Sequence, residues 1–249
     1  MDNLAVYSDR RTVSHYAVAS DLLPPERYVF DKYVRPGMAI LDIGVGGGRT
    51  AEWLSPGAGR YLGVDYSEAM VAACRERFPA LDFIVADASD LSTIPDESFD
   101  FVIFSFNGID YLPDDASRRR ALAEMRRVAK PDATIVISSH SARQLVLLPV
   151  FDGADLSRRV WRLARSAGRS AVQTAKALVS SSFWRGAGYV VDPVHGGLRT
   201  HVSGQASIAA DCAAVGLDVV EAVGAFHPRR VPEFANNWTT YVLHRSAAA

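Results

Sequence analysis

Five short apolar runs alternate with segments of helical periodicity, and this alternation constrains the fold more than any other feature of the chain. The runs are AILDIG (39–44), YLGVDY (61–66), DFIVAD (82–87), FDFVIFSF (99–106) and ATIVISSH (133–140). Between them lie TAEWLS, SEAMVAACRERF and RRRALAEMRRVA. In the second of these Met70, Val71 and Cys74 share a face, and in the third Leu122, Met125, Val128 and Ala129 do. Strands that are apolar throughout, separated by helices, indicate a parallel sheet covered on both faces. Ser67 and Glu68 suit a helix start after the second run. Ala129-Lys130-Pro131-Asp132 stops a helix before the fifth, because proline disfavours helix in the residue before it.

The rhythm breaks after residue 140. A basic, helix-prone stretch (SRRVWRLARSAGRSAVQTAKALV) is followed by a glycine-rich, aromatic one (FWRGAGYVVDPVHGGLRTHVSG). The sheet pattern then resumes with a helix over 207–216, closed by Gly216, and strands over 218–226 and 238–246. The chain therefore reads as one α/β domain over residues 1–249, a doubly wound sheet with residues 141–206 inserted before its last helix as an expected acceptor-binding cap.

LDIGVGGGRT (41–50) is a glycine-rich turn between the first strand and its helix. The dinucleotide pattern G-x-G-x-x-G fails because Arg49 occupies the third glycine position, and no Lys-Ser/Thr pair completes a P-loop. Asp42 adds an electrostatic objection, since a carboxylate beside a diphosphate is repelled. A nucleoside that lacks phosphates and carries positive charge fits instead, and S-adenosylmethionine is such a molecule. Asp65 ends the second run about 20 residues past the loop, where nucleotide-binding sheets place an acid for ribose hydroxyls. It is equally suited to capping the next helix. Asp87 ends the third run. Asn107 and His140 lie at or beyond the ends of the fourth and fifth, where open α/β sheets form their ligand crevice.

Taken in order, LDIGVGGG, GVDYSEAM, VADASDL, FDFVIFSFNGIDYL and EMRRVAKPDATIVIS resemble the class I S-adenosylmethionine-dependent methyltransferases, over about residues 35–140 and 205–245. The arrangement is also similar to bacterial small-molecule and sugar methyltransferases. The resemblance implies a seven-stranded, Rossmann-like, mostly parallel sheet whose last strand is antiparallel. It implies that Gly44 and Gly46 let the backbone approach the cofactor and that Asp65 binds ribose. Tyr66 and Met70 would pack near adenine, with Asp87 and the Ala88 amide on its edge. Ser105–Asn107 would lie near the methionine part. By looser analogy Tyr16, in an N-terminal helical cover over 1–34, would close that end.

For the reaction, histidine is the side-chain type suited to take a hydroxyl proton near neutral pH, which makes His140 the base candidate, with Asp110 as the other catalytic candidate; a hydrogen-bonded structural histidine is the alternative. Tyr111, Trp184, His195 and His201 are candidates for acceptor contact. Together they favour O-methylation of a small polar acceptor, with a sugar or glycan as one candidate. N-methylation of an amino sugar or other amine is the runner-up. A cofactor-binding protein without catalysis, or one acting on tRNA or protein, is the rival class. Arginines 158, 159, 162, 165 and 169 recur at helical intervals; they suit a solvated face, an anionic substrate or a homodimer contact.

The formal net charge of −1 gives no general pull toward nucleic acid or an anionic membrane. Where this chain has SFNG after the fourth run, no Asn/Asp-Pro-Pro-Tyr-type motif of base or amide methylation occurs. Two cysteines, Cys74 and Cys212, make neither a disulfide framework nor a zinc spacing. Acidic residues Asp110, Asp114 and Asp115 have no metal-ligand spacing, and no metal is expected. The N-terminus lacks the pattern of a signal peptide and no apolar stretch approaches the ~20 residues of a membrane span, so a cytoplasmic protein is expected.

Overall fold

The computed structural model describes residues 21–142, 186–192 and 198–247. Tyr16, the five arginines of 158–169, Trp184 and His195 fall outside these residues.

Seven strands form the main sheet in the order β3-β2-β1-β4-β5-β9-β8. They are β1 Ala39–Ile43, β2 Arg60–Asp65, β3 Asp82–Val85, β4 Phe99–Phe104, β5 Ala129–His140, β8 Leu217–Gly224 and β9 Trp238–Arg245. The first five pair in parallel, and β9 runs antiparallel to both β5 and β8. β6 (Ala187–Asp192) and β7 (Leu198–Ser203) pair antiparallel as a separate ribbon within the inserted region. The helices are α1 Pro24–Tyr33, α2 Ala51–Leu54, α3 Glu68–Arg77, α4 Asp115–Val128 and α5 Gln205–Ala213.

Successive residues of each central strand feed opposite layers. Leu41 and Ile43 of β1, Val102 and Phe104 of β4 and Ile135 and Ile137 of β5 pack with Leu122, Met125 and Val128 of α4 and Ile208 and Cys212 of α5. Ile40, Phe101, Ile103 and Val136 face the other way, against Val29 and Phe30 of α1, Leu54 of α2 and Val71 and Cys74 of α3. Both cysteines are buried free thiols.

The local signals act where the chain places them. Ser67 Oγ accepts from the Met70 N–H at the start of α3, so Ser67, and not Asp65, caps that helix. Asp114 caps α4 by accepting from the Ser117 N–H at 2.7 Å. α4 ends at Val128, and β5 starts at Ala129 with a register shift around Pro131, which has no N–H to give the ladder. The strands at 82–85 and 99–104 are shorter than their apolar runs, because the chain turns off the sheet at their carboxyl ends. Among the described residues no helix is long and apolar enough to cross a membrane.

Strand order reverses at β1, which lies between β2 and β4. At such a switch point the connections leave to opposite faces and open a crevice beyond the strand ends. The fold alone therefore places a site beyond Ile43, Asp65 and Phe104. Leu122 lies at the centre of the layer that α4 covers and is 1% exposed. Leu122→Ala should cost about 2–5 kcal/mol, read as a lower urea midpoint with unchanged slope.

Candidate active site

A cleft of about 440 Å³ occupies that position, within the range of small-ligand pockets. Its walls include the glycine loop from Gly44 to Gly47, Asp65, Tyr66, Met70, Asp87, Ala88, Ser105, Phe106 and Tyr111, with Arg199 on the ribbon side.

The loop is shaped by left-handed glycines. Gly44 has φ +64° and Gly46 φ +55°. A Cβ on Gly44 would meet the Phe104 ring at 2.6 Å, so no larger residue keeps this turn. The Gly46 N–H donates to Asp65 Oδ2 at 2.9 Å, and the Ser67 N–H donates to Oδ1 at 2.9 Å. Asp65 thus ties the loop to the end of β2 while still lining the cleft. Burial raises its carboxyl above the ordinary range, against the pull of the amides of Ser67 and Gly46. The carboxylate has more acceptor positions than these amides fill, and that is the chemistry a ribose diol requires. Asp87 is exposed at the rim; its Oδ1 takes the Ser89 N–H and Oγ, and Oδ2 makes neither bond.

Asp42 corrects the sequence-based argument. Its side chain is fully buried behind the loop rather than in the cleft wall, because an inward position on β1 points into the layer of α1–α3. There Oδ2 accepts from Thr50 Oγ1 at 2.6 Å and Tyr61 Oη at 2.8 Å, which fixes the start of α2 to β2. Burial pushes its carboxyl up to about 6, against the hydrogen bonds from Thr50 and Tyr61.

His140 does end β5. It is 7% exposed, however, and neither it, Asp110 nor Asn107 lines the cleft. The imidazole stands behind Tyr111, whose ring meets it edge-on at a centroid distance of 5.9 Å. Its Nδ1 is 3.0 Å from Asp110 Oδ2, and its Nε2 is 3.3 Å from Asn107 Nδ2. Asp110 is fully buried. His201, from β7, is also buried and faces Asp110 rather than the cleft. Among the described residues no cluster of His, Cys, Asp or Glu has the arrangement of a metal site.

Sequence reasoning missed two features of this cleft. Arg49 forms a two-pronged ion pair with Glu26 of α1, at 2.7 and 2.6 Å, and its guanidinium lies 5.0 Å from the centroid of Phe106. Phe106 holds φ +52° and Asn107 φ +60°. Asparagine tolerates that region, but a phenylalanine there is rare and marks strain at the cleft wall. The Asn107-Gly108 dipeptide signals a turn; nothing in the sequence signals the strained Phe106 before it.

Residues 40–132 match the methyltransferase domain family. This segment is a methyltransferase domain. It holds the glycine loop, Asp65, Asp87 and the turn after β4. Among curated relatives, the chain is 35% identical over 106 residues to a demethylmenaquinone methyltransferase of Renibacterium salmoninarum, covering 43% of each chain. It is 28% identical over 132 residues to a ubiquinone biosynthesis O-methyltransferase of Hahella chejuensis, covering 51% of this chain and 54% of that one. The match thus spans only about half the length of these relatives. The solved CcbJ methyltransferase from Streptomyces caelestis superposes with a TM-score of 0.67 at 18% identity, over 97% of this chain and 98% of that one. The methyltransferase domain and the sheet that continues past it have the class I methyltransferase fold.

Asp42 supplies the testable consequence for stability. The folded protein holds its proton more tightly than the unfolded chain, so this residue's contribution is present below pH 3.8 and is lost as pH rises to about 6. Asp42→Asn keeps an acceptor for both hydroxyls and should flatten that part of the stability curve by about 2–3 kcal/mol. Urea unfolding of both proteins at mildly acidic and neutral pH reads the difference; parallel curves would refute it.

Proposed function

We propose that the chain is an S-adenosylmethionine-dependent methyltransferase acting on a hydroxyl of a small acceptor. The observation that carries the cofactor assignment is the bond from Gly46 to Asp65 inside the cleft. It presents a buried carboxylate with spare acceptor positions beside a loop that no side chain fills. When bound, S-adenosylmethionine supplies an electrophilic methyl group on a sulfonium. Asp65 would hold the ribose hydroxyls and Asp87 the adenine amino group, with Tyr66 and Met70 along the ring. The backbone at Gly44 and at Ser105 would face the methionine part. Asp65→Ala should weaken cofactor binding by about 1.5–3 kcal/mol, as for hydrogen bonds to a charged group. Calorimetry against S-adenosylmethionine, S-adenosylhomocysteine and NAD measures this, and binding of NAD alone would sink the assignment.

The walls of the cleft favour a flat acceptor over a sugar. Phe104, Phe106, Tyr66, Tyr111, Leu112 and Pro113 make them largely apolar and aromatic. The two curated relatives named above are, by their names, a demethylmenaquinone methyltransferase and a methyltransferase of ubiquinone biosynthesis, which agrees with a flat ring as acceptor. A hydroxyl is a weak nucleophile, and a base aids it. We assign that role to His140. Asp110 orients its Nδ1 side, and Nε2 is directed at Asn107. For Nε2 to accept a proton the Asn107 amide must turn aside. The left-handed backbone of Asn107 and its buried Oδ1, which has no hydrogen-bond partner among the described residues, suit such a movement.

One observation favours a second reading, transfer to a neutral amine: His140 does not line the cleft, and an amine needs alignment only. His140→Ala separates the two. For a hydroxyl acceptor, turnover should fall by about 10²–10⁴-fold with cofactor affinity kept. Near-normal turnover would favour the amine.

A further inference from the structure

Behind the cleft wall lies a buried ionic cluster built from both the sheet domain and the inserted ribbon. Asp110 is its centre. Oδ2 accepts from the His140 N–H at 2.6 Å and faces His140 Nδ1 at 3.0 Å; Oδ1 accepts from Ser139 Oγ at 2.8 Å. Ser139 Oγ in turn lies 3.1 Å from Ser203 Oγ at the end of β7. From α4 comes Arg118, 1% exposed, with Nη1 3.2 Å from His201 Nε2 and 3.4 Å from Asp211 Oδ2 of α5. His201 Nδ1 stands 3.8 Å and Arg118 Nη2 4.0 Å from Asp110 Oδ1.

These contacts settle donors and acceptors. A guanidinium only donates, so His201 Nε2 accepts from Arg118 and the proton of His201 sits on Nδ1, toward Asp110. That Nδ1 and two of the Arg118 nitrogens, Nε and Nη2, are buried without a hydrogen-bond partner among the described residues. As packing alone this is a poor arrangement, since apolar side chains of the same volume would serve stability as well or better. Its electrostatic effect is specific. Positive charge from Arg118 and a donor from His201 are aimed at one carboxylate, and an ionised Asp110 is what holds a proton on His140 Nδ1. Nε2 is then the nitrogen with the lone pair.

We propose that His201, carried on the inserted ribbon, is a positioning residue for the Asp110–His140 pair. With Arg118 it keeps Asp110 in the state that sets the tautomer of His140. Seating β7 and preparing the imidazole are then one event. The ribbon strand that brings His201 also brings Arg199 to the cleft, so the acceptor side and the base are linked through a single strand. This rests on the assignment of His140 as proton acceptor, and the test separates the two.

The experiment uses the full chain labelled with ¹⁵N-histidine, with and without S-adenosylhomocysteine. The wild type should give a His140 spectrum with the proton on Nδ1. In His201→Ala that spectrum should shift to mixed tautomers, and kcat should fall at least about tenfold with acceptor KM and cofactor Kd little changed. His201→Gln, whose amide oxygen can still accept from Arg118, should restore both. If His201→Ala fails to fold, Arg118→Lys takes its place, with the same shift expected. An unchanged His140 spectrum in a folded variant overturns the proposal, as does a loss confined to thermal stability and acceptor KM. A wild type that transfers no methyl group would refute the assigned function instead, while the His140 spectrum would still decide this inference.

Discussion

A parallel sheet covered by helices on both faces has room for polar side chains only where its strands end. That constraint organises this molecule. β1, β4 and β5 are apolar on both sides through their middles, and the exception on β1, Asp42, is fully buried and hydrogen-bonded to two hydroxyls. Polar groups therefore gather beyond the carboxyl ends, and the reversal of strand order at β1 opens the space in which they meet.

The two acids of the glycine-loop region divide the work. Asp42, behind the loop, holds Thr50 and Tyr61 and so anchors α2 against β2. Asp65, in front of it, takes the Gly46 and Ser67 amides and faces the cleft. A residue read as the ligand's electrostatic partner is thus a support for the turn, and the adjacent strand supplies the carboxylate that can reach a ligand. The Glu26–Arg49 pair adds a further tie, from α1 to the loop's end.

The cluster around Asp110 is of another kind. Its members come from the turn after β4, from α4, β5, β7 and α5, and all but Asp211 of α5 are buried nearly completely. Asp110 stays below the ordinary carboxylate range although burial pushes it up, because the hydrogen bond from His140 and the nearby His201 and Arg118 outweigh that push. Removing one member of such a set leaves the others uncompensated in a low-dielectric interior. The inserted ribbon is therefore joined to the sheet domain by charge as well as by packing.

The sequence by itself determined the sheet, its helices, the glycine turn and the acids at the ends of β2 and β3. These are local signals, in which period, proline and glycine act on their own neighbours. It placed His140 at the end of β5, and the family resemblance named Tyr66, Met70, Ala88 and Ser105, which line the cleft together with Tyr111. Only the tertiary structure decided which way the polar residues face. Asp42 turns inward because the alternation along β1 points it under the loop. His140, Asn107 and Asp110 turn away from the cleft: His140 meets the other two, and Asp110 also faces Arg118, which reads in the sequence as one more surface arginine in RRRALAEMRR. His201 meets Asp110 only because β7 packs beside the end of β5. Side-chain direction at a strand end depends on what the rest of the chain packs against it, and no local pattern carries that.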